Sequence, residues 1–445
     1  MAIILQVIIG LVILGILVLI HELGHFIVAK KCGIRVIAFS IGFGKPFFKK
    51  TIGETEYRLC SIPFGGYVQM AGEQPEEGKT ADPRDFTEKP VWQRALVALA
   101  GPFANFLFAM IFLWIMFITG VEKPLYLLRP LIGAVADSSL AKQAGLCPGD
   151  SIISINGRKV GSWEDIQTAL SKSANVNKVL FARDAGIDSV ELASLRISGR
   201  GIPQQPSYGL YSSLPAVIGS LNAKSPAEKA GLKANDTVVS INGHKIHSWF
   251  QLSQIIVKYN ASEGPLRFDV RRQDLLQTIE IVPEYKKEAD RFLIGAAVAS
   301  PQTQKIRYSF NDGFIQTLKK SWEYTTMIFD VFGKLFSKQV SPQQLAGPIG
   351  IVQMSGVVAM GGMSAILDFM ALIGINLAVL NLLPLVITDG GLLLFLLIEV
   401  IRRKPLSVKK QLLINRIAIA FFVTLFLYVT FNDILRIPEL LRLTK

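Results

Sequence analysis

Residues Ala2 to Ile20 form an apolar run broken only by Gln6, and the run leads directly into His21-Glu22-Leu23-Gly24-His25. A run of that length crosses a bilayer as a helix, so this chain must accommodate two histidines and a glutamate within a membrane segment. On a helix, residues four apart lie on one face. His21 and His25 can therefore present two imidazole nitrogens to one metal ion, with Glu22 beside them as a base, which is the HExxH arrangement of hydrolytic zinc sites. The bland reading is a polar pair satisfied by neighbouring helices, but ionisable groups placed in lipid mark function by default. Only four histidines occur in 445 residues, and the other two, His244 and His247, fall in a polar region.

Half of the residues are hydrophobic, and the chain is long enough for several units, which together indicate an integral membrane protein carrying soluble domains. The net charge of +13 comes from dispersed Lys and Arg residues, many of them flanking apolar spans, so it speaks for membrane topology and against a nucleic-acid partner. Cys32, Cys60 and Cys147 are an odd, scattered set that implies neither a disulfide framework nor a second metal site. A cleaved signal peptide is disfavoured, because no basic segment precedes the first run and no small-residue cleavage site precedes His21.

Four spans are expected, at about Ala2–Val28, Ala95–Gly120, Ser364–Leu385 and a shorter one at Ile417–Phe431. Basic residues follow the first (Lys30, Lys31, Arg35, Lys45, Lys49, Lys50) and the third (Arg402, Arg403, Lys404, Lys409, Lys410). Both loops are then cytoplasmic, which places both termini and the polar centre of the chain on the other side. Between the first two spans, Ser40–Pro46 and Tyr57–Met70 are rich in strand formers and glycine. They read as hairpins at membrane depth beside the metal, with an edge able to hold an extended peptide; an ordinary cytoplasmic hairpin is the alternative. The stretch Glu73 to Glu88 reads as a loop. In the second span, Asn105 either supports a zinc ligand or bridges two helices.

The polar centre contains an internal repeat. Ala144-Gly145-Leu146 recurs as Ala230-Gly231-Leu232, Ser154-Ile155-Asn156-Gly157 as Ser240-Ile241-Asn242-Gly243, and Ser162-Trp163 as Ser248-Trp249, always 86 residues apart. One module is used twice. Each copy reads as strands around a short helix, an acidic turn at Asp150 or Asp236, an Asn-Gly turn and a second helix. The pattern resembles a tandem pair of PDZ domains, which bind extended peptides by strand addition; a bulky gate is the other use such a pair could serve.

Beyond the repeat, Phe314, Leu318, Trp322, Phe329, Phe332 and Phe336 interleave with Lys319, Lys320 and Lys334. This is an amphipathic helix lying at the membrane surface or packing on the second repeat. Leu345–Gly350 reads as a loop leading into the third span. That span carries Asn376, Asn381 and Pro384 and runs into Thr388-Asp389-Gly390-Gly391. A helix broken at Pro and Gly inside an apolar region exposes backbone that must line a site. Catalytic zinc takes three protein ligands, and no third histidine lies in any span, so Asp389 is the natural third ligand. The plain alternative is an Asp-Gly turn at the membrane surface.

With HELGH in the first span, the Gly42-Phe43-Gly44-Lys45-Pro46 loop, the paired repeats, Gly347-Pro348-Ile349-Gly350 and Asn381-Leu382-Leu383-Pro384…Asp389-Gly390, nearly the whole chain resembles the site-2 protease family of intramembrane zinc proteases. The resemblance implies Zn2+ held by His21, His25 and Asp389, with Glu22 as the catalytic base. It implies that Asn381 and Pro384 lie near the substrate, and pairing with Gly42, Phe43 and the Ile62–Met70 run would hold that substrate extended. It further implies a bacterial inner-membrane protein with periplasmic PDZ-like domains and termini. Its partners would be the lipid bilayer and membrane-protein substrates already trimmed outside, such as an anti-sigma factor or signal-peptide remnants. The chain departs from the family's NxxPxPxxDGGH pattern at Val386 and Leu392.

The expected architecture is a multi-pass α-helical membrane protein, with four transmembrane helices and membrane-associated β-hairpins, plus two α+β PDZ-like domains. Its parts are an N-terminal membrane core (1–121), two PDZ-like domains (122–212 and 213–304), an amphipathic helix and linker (305–362) and a C-terminal membrane core (363–445). The competing reading is a non-catalytic scaffold whose PDZ-like pair binds exported peptides while the metal staples two spans. A closed four-ligand site would favour it, but only three strong ligands are visible. A transporter fits less well, since inverted repeats of spans are not apparent.

Overall fold

The computed structural model describes residues 2–73, 82–171, 176–184, 186–193, 208–286, 290–337, 347–385, 388–404 and 406–443. In chain order the helices are α1 (Ala2–Lys31), α2 (Val91–Thr119), the short α3 (Leu140–Gln143), α4 (Trp163–Ser171), α5 (Pro226–Lys229) and α6 (Trp249–Val257), then α7 (Phe310–Phe336), α8 (Pro348–Met360), α9 (Gly362–Leu382), α10 (Asp389–Arg402) and α11 (Val408–Leu443). Two units emerge. One joins residues 1–121 with 307–445, and the other is Glu122–Ile306.

Among the described residues of the first unit, four stretches are long and apolar enough to cross a membrane: Val7–Lys31, Val91–Thr119, Gly362–Leu382 and Leu413–Ile434. The last is longer than the Ile417–Phe431 expected, and α11 continues on both sides of it. Small residues set the helix spacing. A Cβ on Gly24 would stand 2.3 Å from the Ala100 carbonyl oxygen, and one on Gly10 would stand 3.0 Å from the Cα of Val352, so α1 meets α2 and α8 nearly backbone to backbone.

Strands β1 (Val36–Ile52) and β2 (Thr55–Met70) follow α1. Both bend, so Phe39–Ile41 face Tyr57–Leu59 on one side and Gly66–Val68 on the other. Phe39, Val68 and Met70 pack with Ala29 and Val97 in one buried cluster. The hairpin is thereby fixed to the C-terminal half of α1.

Helix α8 corrects the expectation of a loop over Leu345–Gly350 and of a linker up to residue 362. Pro348 is the first helical residue rather than a breaker, a position where its missing N–H costs nothing. Asp433 of α11 accepts hydrogen bonds from the backbone N–H groups of Gly347 (3.0 Å) and Gly350 (2.9 Å), so the cap comes from another helix. Residues 345–346 lie outside the described ones, as do 74–81 of the Glu73–Glu88 loop and Val386.

Helix α7 is amphipathic with an unusual orientation. Thr317, Ser321 and Tyr324 are buried, the Tyr324 hydroxyl donating to Asp368 Oδ1 of α9 at 2.7 Å. Phe314, Leu318, Trp322 and Phe329 are the exposed ones. Its apolar stripe faces outward, as on a helix that meets lipid.

In the second unit the repeat is visible as architecture. Strands Arg158–Lys159, Ser151–Ile155, Asn177–Arg183 and Gly186–Leu192 form one four-stranded sheet, and His244–Lys245, Thr237–Ile241, Leu266–Arg272 and Leu275–Ile281 form its twin. Strand Ile132–Val135 pairs with Leu210–Ser212, as Ile218–Leu221 pairs with Ala296–Val298. The Asn-Gly turns adopt positive φ at both residues (52° and 78°, 50° and 78°), the type I′ geometry that suits a two-residue hairpin. Each acidic turn is locked in the same way. Arg183 grips Asp150 through two nitrogens (2.7 and 2.8 Å) and Arg272 grips Asp236 (2.7 and 2.6 Å). Burial opposes ionisation of Asp236, but Arg272 and the Lys233 backbone N–H outweigh it and hold the carboxyl below its usual range.

Candidate metal centre

His21 and His25 stand one turn apart on α1, and their Nε2 atoms are 3.1 Å from each other. Asp389, the first residue of α10, sends Oδ2 to within 3.2 Å of His21 Nε2 and Oδ1 to within 3.4 Å of His25 Nε2. All three ligand atoms lie within 4.8 Å of one another. Tetrahedral zinc with ligands near 2.0–2.2 Å separates its donors by about 3.4 Å, so the set fits such an ion.

The helix break explains how an aspartate arrives there. Helix α9 ends at Leu382, and Leu383 turns to extended backbone, as a residue before proline prefers. The Thr388 hydroxyl spans the break to the carbonyls of Leu383 (2.9 Å) and Leu385 (2.8 Å). A Cβ on Gly390 would fall 2.2 Å from the Leu383 carbonyl oxygen. Glycine is therefore required for α10 to start folded against the end of α9. Arg94 of α2 then clamps α10 through Glu399 with two hydrogen bonds (3.1 and 2.6 Å) in a largely buried ion pair.

Helix α2 supplies the rest of the frame from Val97, Gly101 and Asn105, successive members of one i, i+4 stripe. The Val97 carbonyl accepts the Nδ1–H of His25 at 2.7 Å, which leaves Nε2 unprotonated toward the metal position. Gly101 makes room for the imidazoles. Asn105 sits with Nδ2 3.3 Å from His21 Nδ1, a contact that bridges α2 to α1 and falls on a candidate ligand, so it fits both alternatives left open by the sequence.

A cavity of about 310 Å³ opens over these groups, walled by His21, Glu22, His25, Asp389 and Asn381, together with Tyr67, Val68, Met70 and Glu73 from the hairpin side. Glu22 lies against the hairpin, its Cγ 3.6 Å from where a Cβ on Gly66 would stand. Leu392 also lines this cavity. Of the other expected substrate-contacting residues, Gly42, Phe43 and Pro384 are not in the lining. Phe43 stacks on Tyr67 with ring centroids 6.0 Å apart, and Gly42, at φ +86°, lets β1 pass the Ile62 carbonyl, from which a Cβ would stand 2.6 Å. Tyr67, Val68 and Met70 belong to the Ile62–Met70 run expected beside the metal, whereas Glu73, read as the start of a loop, has no sequence signal of its own, because its place depends on how β2 lies over α1.

The model of peptidase family M50 matches residues 9–425. Among curated proteins, the chain is 34% identical to the Yersinia pestis protein named protease RseP, over 96% of this chain and 98% of that one. It is 33% identical to a Vibrio cholerae protein named as a zinc metalloprotease (95% and 97%) and 32% identical to the Escherichia coli regulator of sigma-E protease RseP (96% and 98%).

Proposed function

The chain belongs to peptidase family M50, and from that premise we propose that it is an intramembrane zinc metalloprotease that cuts membrane-spanning segments of other proteins in a bacterial inner membrane. The observation that carries the reading is the convergence of His21, His25 and Asp389 within 4.8 Å, with Glu22 on the wall of the same cavity.

His21, His25 and Asp389 would hold the zinc ion. Zinc bound there supplies Lewis acidity toward a peptide carbonyl and lowers the pKa of water. Glu22 takes a proton from the attacking water and delivers it to the departing amine, as general base and then general acid. A helical substrate cannot present its carbonyls, because they are bonded within the helix, so the cut segment must be extended. The Gly66–Met70 edge of β2, beside Glu22, offers the backbone pairing that stabilises it, and Asn381 reaches the same space from α9. Phe43 supports this wall through Tyr67.

We read the two repeats as PDZ-like domains on the periplasmic side. Their common topology and matched acidic turns support the reading, and their role would be to screen substrates by the state of their exported portions. Relatives are named as regulators of sigma-E; a previously trimmed anti-sigma factor and signal-peptide remnants are the substrate classes that the family resemblance implies. The scaffold alternative is not favoured, because relatives spanning nearly the whole chain are named as proteases.

Cleavage of a purified transmembrane peptide in detergent tests the proposal, with wild type compared against Glu22→Gln and zinc content measured on both. Cleavage by wild type alone at equal zinc is expected. Full zinc with no cleavage of any transmembrane peptide by either protein would return the weight to the scaffold.

A further inference from the structure

The two histidines are oriented from their outer nitrogens by different kinds of partner. His25 has a backbone carbonyl, which can only accept. His21 has Asn105, whose side chain can present either a donor or an acceptor. Asn105 is 1% exposed, its Nδ2 lies 3.3 Å from His21 Nδ1, and its Oδ1 has no hydrogen-bond partner among the described residues.

That arrangement is inconsistent with His21 Nε2 serving as a metal ligand. A neutral imidazole carries one proton; if Asn105 donates to Nδ1, the proton sits on Nε2 and blocks the face that His25 and Asp389 share. Exchanging the ends of the amide leaves the shape unchanged, puts the NH2 where Oδ1 stands, and turns Oδ1 toward His21 so that Nδ1–H can donate to it and Nε2 is left with a lone pair.

We propose that Asn105 is a positioning residue of the metal centre. Its Oδ1 accepts from His21 Nδ1–H, fixing the tautomer and ring angle that direct Nε2 inward, as Val97 does for His25. The inference rests on the reading of His21 as a ligand. With Gly101 between them, Val97 and Asn105 make one stripe of α2 into the orienting wall for both imidazoles, eight residues apart and on one face.

The test uses purified full-length protein and reads zinc retention against a competing chelator. Asn105→Leu keeps the volume but removes the acceptor, and Asn105→Asp keeps an acceptor and removes the donor. Loss of such a partner typically lowers metal affinity by about 10- to 100-fold. That loss is expected for Asn105→Leu, while Asn105→Asp retains zinc. Equal retention by Leu, Asp and wild type would overturn the proposal, as would a loss in Asn105→Asp matching that in Asn105→Leu. If the Leu variant fails to fold, the Asp variant decides: chelator resistance like wild type supports an acceptor role, and loss overturns it. His21→Ala separates the premise. Undiminished zinc in that variant would defeat the ligand reading itself, whatever Asn105 does.

Discussion

A Cβ placed on Gly101 would stand 2.3 Å from Nε2 of His25 and 2.8 Å from Cε1 of His21. Helix α2 thus approaches the imidazoles as closely as a peptide backbone can, and only the absence of a side chain leaves the nitrogens free. Gly101→Ala forces α1 and α2 apart or tilts both rings, an overpacking cost of about 1–3 kcal/mol. Zinc affinity is expected to fall roughly 10- to 100-fold, read by chelator competition, with helical content unchanged by circular dichroism.

The Arg94–Glu399 pair joins α2 to α10 with both groups largely buried. Removing one partner leaves the other charge uncompensated, at a cost of about 3 kcal/mol, whereas replacing both by apolar residues is close to neutral. Arg94→Met is therefore expected to lower thermal stability in detergent, and Arg94→Met with Glu399→Met to recover most of it. A double variant no better than the single would sink this account.

Much of the centre was legible in the sequence because its spacing is local or its chemistry is scarce. HExxH gives its own geometry, and Asp389 stands out at a helix break in a segment without histidine. Asn105 was harder to rank. A lone amide in an apolar helix announces burial, but its partner His21 lies on another helix, and which face of α2 meets α1 is set by the Gly24–Ala100 contact rather than by any periodicity. Helix α8 was hidden for a different reason. Its glycine and proline signal a break, and the Asp433 carboxylate that turns the break into a helix start comes from far along the chain.

Because Arg272 and the Lys233 N–H depress the Asp236 carboxyl, their contribution to the second repeat is complete above the unfolded aspartate value and is lost as pH falls through the lower folded one. The window therefore opens at about pH 4 and extends downward. The protection of Thr237–Ile241 against hydrogen exchange in the full-length protein, taken relative to the intrinsic amide rate at each pH, is expected to fall over that range. In Asp236→Asn protection should already be low at neutral pH and change little with acid.

Asp433 accepts two backbone N–H groups at the start of α8. Asp433→Ala orphans both donors, with an expected loss of about 2 kcal/mol. The first turn of α8 should gain exchange in Asp433→Ala and gain less in Asp433→Asn, which keeps one acceptor oxygen. Identical behaviour of the two variants would count against a capping role.

The unit that holds the metal position is assembled from both ends of the chain, with Glu122–Ile306 inserted between its halves. His21 and His25 leave the ribosome before the intervening unit, and Asp389 leaves after it. At about 5–20 residues per second the interval is on the order of 20 to 70 s. Throughout that time the histidines sit in a membrane crowded with other nascent segments but lack their carboxylate and the α10 wall. The order of synthesis therefore acts as a maturation delay: the hydrolytic groups come together only after the intervening unit has been made and the third membrane-length helix has been delivered to meet the first.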